Sequence, residues 1–185
     1  MNESLFAEKL AKKLRMQITN FEIDTKTSLL YSISFDDEGN LDLHLGDDLR
    51  PKRGKGKGFE QDILIYNIAD GKTSLVPRVI AEVKYEKVGT HSAIVYTEKL
   101  RRIKSIYPYV RYGLILGKMT HIPARVLRFG QEFDFIQTIS FPLKSGEINK
   151  LVRMLKKETR LSKKLAQILI GKKKLKSIHK QIRMS

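Results

Sequence analysis

Asp62, Glu82 and Lys84 are the residues of this chain whose types and spacing suit chemistry. Glu82 and Lys84 flank Val83 within PRVIAEVKYEK, residues 77–87, a stretch apolar enough for a buried strand. Side chains alternate along a strand, so Glu82 and Lys84 share one face while Val83 takes the other. The preceding apolar run, DILIYNI at 62–68, reaches it through ADGKT, which reads as a turn. An antiparallel hairpin centred near Lys72 pairs residues whose numbers sum to about 144, which sets Asp62 opposite Glu82. Two carboxylates and one ammonium then converge at one end of a sheet. Such acids offer hard oxygen ligands to Mg²⁺, with the carbonyl of Val83, waters and a substrate phosphate completing the octahedron. The ion would polarise a phosphoryl oxygen and acidify a bound water. Lys84 would position that water or hold the charge that builds on phosphorus. The bland alternative is an ion pair of Glu82 and Lys84 on an exposed edge strand, with Asp62 in a turn. The short pattern occurs by chance in many chains, so its setting has to decide.

That setting is a succession of elements. Leu5, Leu10, Leu14 and Ile18 recur at helical intervals over 4–19, and Asn2 or Ser4 can cap the start. SLLYSISF alternates, DDEGN turns the chain, and LDLHL returns, followed by the basic, glycine-rich loop RPKRGKGKG. Pro77 is expected to bar the sheet interior at its own position. Tyr96, Leu100, Ile103 and Tyr107 predict a helix over about 92–107, ended by Pro108. RYGLILG and FDFIQTI predict two more strands, the first of them central. From Ser145 the pattern is helical, with one stripe of Ile148, Leu151, Val152 and Leu155 and another of Leu165, Ile168 and Leu169. Leu175, Ile178 and Ile182 lie on a short basic segment after Gly171. The order predicts an α/β (α+β) fold, a core over 1–144 with a central mixed sheet flanked by helices. A basic helical C-terminus over 145–185 is expected to pack on the same domain.

Asp62 at the head of DILIY, with Glu82, Val83 and Lys84 in AEVKY twenty positions downstream, resembles the PD-(D/E)xK nuclease superfamily. That superfamily includes many type II restriction endonucleases and several repair nucleases. TEKLRRIKSIYPYVRYGLIL also suits its core of helix, three strands, helix and strand, so the resemblance covers roughly residues 4–117. It implies a restriction-endonuclease-like sheet and a Mg²⁺-dependent DNA endonuclease, with Mn²⁺ able to substitute. Asp62 and Glu82 would be metal ligands, joined by the Val83 carbonyl, and Lys84 the catalytic lysine. A type II restriction enzyme cutting as a homodimer is one form of this expectation, and a repair or mobile-element nuclease is another. Gln61 stands where the family pattern has a proline that is often missing. Members often add a polar residue from the first or second helix. Glu8 and Lys99 are counterparts here, and nothing in the sequence selects either. The competing classes are a non-catalytic basic nucleic-acid-binding module and a nuclease-fold subunit without activity.

Charge supports a polyanionic partner. The chain has 185 residues and a formal charge of +16, and the segment 144–185 holds 14 basic against 2 acidic residues, a net of +12. Arg53, Lys55 and Lys57 in the glycine-rich loop are candidate DNA contacts, since that loop ends four residues before Asp62. Lys172, Lys173 and Lys174 are candidates at the C-terminal end. Tyr107, Tyr109 and Tyr112 could stack on bases, although core packing is the commoner fate of such tyrosines. DGKT lacks the glycine spacing of a phosphate loop, so no nucleotide cofactor is expected. The chain has no cysteine, and its four histidines show no metal-ligand spacing. No run approaches a membrane span, so a cytoplasmic protein without a membrane partner is expected.

Overall fold

The computed structural model describes residues 1–42, 45, 51, 58–69, 74–174, 176 and 177. Helix α1 (Glu3–Arg15) starts where Asn2 Oδ1 accepts the amide of Leu5 at 2.9 Å, and it buries Phe6, Ala7, Leu10, Ala11 and Leu14. Five strands form the main sheet: β1 (Glu22–Asp24), β6 (Ile63–Ile68), β7 (Leu75–Tyr85), β8 (Arg111–Gly117) and β9 (Phe135–Ile139), in that spatial order. β1, β6 and β7 are antiparallel, whereas β7, β8 and β9 run parallel. Parallel neighbours need a crossover, which α2 (Thr90–Ile106) provides between β7 and β8 and α3 (Ala124–Phe129) between β8 and β9. The long α4 (Ser145–Leu169) follows.

Alternation on the strands divides the core. Ile63, Ile65, Val79, Ala81, Val83 and Ile115 face α1 and α4, while Leu64, Tyr66, Ile80 and Tyr112 face Leu100 and Ile103 of α2. The sheet is therefore covered on both sides, as the sequence predicts. Gly113 and Gly117 of β8 lie on the α1–α4 side, where a Cβ would collide with the rings of Phe135 and Phe6. Outside the main sheet, β2 (Thr27–Leu30) pairs with β5 (Gly58–Gln61), and β3 (Ser34–Phe35) pairs with β4 (Leu41–Asp42). Asp62 is the single residue between β5 and β6, and so links the small ribbon to the main sheet.

The expected hairpin register holds beside the site. Ile63 pairs with Ala81, Leu64 with Ile80 and Ile65 with Val79, each summing to 144. A bulge between Ile65 and Tyr66 then shifts the register, so Tyr66 faces Pro77. Pro77 is thus inside β7, contrary to the expectation. Pairing with β8 begins only at Val79, so at Pro77 the strand has β6 alone for a neighbour and a missing N–H is tolerated. RYGLILG forms β8, an interior strand flanked by β7 and β9, and β7 is the middle one of the five.

Within the C-terminal segment the helix α4 spans Ser145–Leu169. α4 buries the stripe Ile148, Leu151, Val152 and Leu155, but Leu169 is exposed. The helix ends in a Schellman arrangement: Gly171 has φ 76°, its amide donates to Ile168, and that of Lys172 donates to Gln167. Lys172, Lys173 and Lys174 are exposed and lie past the helix, so the basic C-terminus is not helical at those positions. Leu175, Ile178 and Ile182 lie outside the described residues.

Candidate active site

The end of the β6–β7 hairpin gathers the three residues that the sequence singles out. Asp62 Oδ2 accepts the amide of Val83 at 2.8 Å, in place of a further backbone rung. Amide and carbonyl of one strand residue point to the same side, so the Val83 carbonyl is also directed toward the Asp62 edge. Glu82 lies on the α2 face and is 1% exposed. Its Oε1 accepts both Lys99 Nζ and the Tyr112 hydroxyl, each at 2.7 Å. Lys99 Nζ also donates to the Glu60 carbonyl, tying α2 to β5 beside Asp62. Lys84 Nζ lies 2.8 Å from Glu3 Oε1 and 5.1 Å from the ring centroid of Tyr96.

Burial dominates the electrostatics. Desolvation pushes the Glu82 carboxyl up to about 7; the Lys99 ammonium opposes that shift and the Asp62 charge adds to it. The hydroxyls of Tyr96 and Tyr112 are also raised, first by burial and then by the negative charge of Glu82. Glu82 is therefore a carboxylate whose ionised form needs a cation beside it. Gln61 is fully buried, donates Nε2 to the Phe59 carbonyl at 2.6 Å, and has an Oε1 with no partner among the described residues.

Asp62 and Glu82 are the residues here that could hold a hard divalent ion. Asp62 Oδ1 and Glu82 Oε2 accept no hydrogen bond among the described residues. The Val83 carbonyl is on the same edge. Among those residues no three or more acidic or histidine side chains are grouped to cage a metal. An ion would thus be held by two carboxylates, with water and substrate oxygens filling its remaining positions.

Structure selects what sequence left open. Lys99, and not Glu8, reaches the cluster; Glu8 pairs with Lys26 at 3.7 Å. Nothing in the sequence singles out Glu3, Tyr112 reads there as a base-stacking or core residue and not as a partner of Glu82, and Tyr96 reads only as one step of an apolar stripe. Tyr107, Tyr109 and Tyr112 all pack in or against the α2-side core. Arg53, Lys55 and Lys57 lie outside the described residues. No described helix is long and apolar enough to cross a membrane. Comparisons with protein-family models, with curated proteins and with solved structures give no match.

Proposed function

We propose that the chain is a metal-dependent nuclease of the PD-(D/E)xK kind that hydrolyses phosphodiester bonds in DNA. The observation that carries this reading is the meeting of Asp62, Glu82 and Lys84 at one hairpin end, with Lys99 seated on Glu82. The order of α1, three antiparallel strands, α2 and the parallel β8 supports it too. Asp62 and Glu82 are the residues that would hold Mg²⁺ or Mn²⁺, and a bound ion supplies Lewis-acid stabilisation of the phosphoryl oxygens. Lys84 exchanges Glu3 for the substrate phosphate and holds the negative charge that develops there. Lys99 and Tyr112 keep Glu82 in place, and the Lys99 ammonium favours its ionised form against the burial that raises it. Water adds to phosphorus, the bond to one sugar oxygen breaks, and that oxygen leaves with a proton. Cutting both strands suits a homodimer, and a type II restriction enzyme is one such arrangement.

A second reading, a non-catalytic nucleic-acid binder or partner subunit, draws on the fact that Lys84 and Lys99 are already paired within the chain. Incubation with supercoiled and linear DNA over a range of Mg²⁺ and Mn²⁺, with a chelator and Lys84→Ala as controls, separates the two. Metal-dependent cutting lost by at least about 100-fold in Lys84→Ala is expected. Binding with no cutting under either metal sinks the enzyme reading. Discrete fragments would point to sequence-specific restriction.

A further inference from the structure

α4 carries a feature that the candidate active site does not use. Its buried residues, Ile148, Leu151, Val152, Leu155, Glu158, Thr159 and Ser162, define the inward side. Lys150, Arg153, Lys157, Arg160 and Lys164 follow at steps of three and four residues, which places all five on the outward side. Every one of the five is exposed, and none makes an ion pair with a described residue. The two acids of α4 are turned away from them: Glu147 accepts from Ser140, and Glu158 accepts from Arg111 at 2.7 Å. At a rise of about 1.5 Å per residue the row is about 20 Å long. Lys156 and Arg160 also border a notch of about 160 Å³ lined by Ile18, Thr19, Asn20 and Phe21, and Lys163 stands 4.6 Å from the Phe21 ring centroid.

Like charges three and four residues apart on a helix repel and lower its stability. Here no ion pair with a described residue offsets that repulsion. A polyanion laid along α4 would offset it. α4 packs on the sheet face opposite α2, whereas Glu82 and Lys99 are on the α2 face. We infer that the outward row of α4 binds the phosphate backbone of a nucleic-acid duplex, on the face away from the Asp62–Glu82–Lys84 cluster. The surface holds a segment other than the one presented to that cluster and reads no bases, because lysine and arginine on phosphate carry position and not sequence. This inference goes beyond the nuclease reading and does not require cleavage. A duplex is favoured over an anionic membrane because no large exposed apolar residue interrupts the row between Lys150 and Lys164 to seat it in lipid.

The test compares the full chain with a variant carrying Lys150→Gln, Arg153→Gln, Lys157→Gln and Arg160→Gln. Binding to a short duplex of arbitrary sequence is measured in metal-free buffer between about 50 and 200 mM salt. The expected result is weaker binding with a logarithmic salt slope reduced by about 3 to 4. The melting temperature of the variant should stay level or rise, which excludes unfolding as the cause. An unchanged salt slope would overturn the inference. So would α4-dependent sedimentation with phosphatidylserine vesicles in the absence of any effect on duplex binding, since the row would then be a lipid surface. Because the readout is binding without metal, failure of the nuclease reading leaves this result interpretable.

Discussion

Lys99 Nζ sits 2.7 Å from Glu82 Oε1, and the two side chains are 12% and 2% exposed. This pair joins α2 to the middle strand of the sheet in a place where an unpaired charge is costly. Breaking a buried pair by removing one partner costs about 3–5 kcal/mol. Lys99→Met therefore destabilises the fold by about 3 kcal/mol at alkaline pH. Less is lost at acid pH, because Glu82 escapes by taking a proton. Urea unfolding of both proteins across pH checks this, and a pH-independent loss would contradict it.

Glu82 itself sets a pH dependence. Its folded value of about 7 exceeds the ordinary 4.5, so the native state holds the extra proton between those values. Stability is full below the lower value and falls as pH rises through the window, by roughly 3 kcal/mol. Glu82→Gln should flatten that fall, measured as the difference in urea midpoint between about pH 5 and about pH 8. Under the nuclease reading Mg²⁺ flattens it as well, because a bound cation favours the ionised carboxylate.

At the other end of β8, Arg111 bridges Asp134 and Glu158, each at 2.7 Å. Both carboxylates are 9% exposed, and Lys104 also reaches Asp134. Arg111→Met leaves Glu158 without its cation and should cost about 3 kcal/mol in denaturant titration. Glu158→Gln should cost clearly less, since Arg111 keeps Asp134. Equal losses in the two variants would contradict the network.

Gly117→Ala tests the fit of α1 on the sheet. The added methyl meets the ring of Phe6, which is fully buried against Tyr85 and Phe141. Overpacking of this kind costs about 1–3 kcal/mol. Phe6→Leu in the same background should recover part of the loss, read as a rise in melting temperature.

The long, strongly patterned parts of the chain were legible in its sequence. The runs at 63–66 and 79–81 are apolar on both faces and carry no alternation, so the hairpin register near Asp62 follows from the position of the turn near Lys72. Mixed α/β architecture followed from the order of such runs and the helical stripes. The three-residue β1 is too short to show a period; Ile23 is a strand residue because it pairs with Ile65 and buries there. β5 reads as the end of a basic loop, and only its pairing with β2 makes it a strand. Lys99 could not be separated from the other cations of its helix, because the contact that distinguishes it spans 17 residues and depends on the crossover. Glu3 reaches Lys84 across 81 residues, a distance that no local pattern carries.

The position of Asp62 has a mechanical consequence. The β2–β5 ribbon joins the main sheet at two places, through Thr25 and Lys26 after β1 and through Asp62 before β6, and the Asp62 side chain is anchored to Val83. Lys99 Nζ bonds both the Glu60 carbonyl of the ribbon and Glu82 of β7, so one ammonium couples the ribbon to both carboxylates of the site.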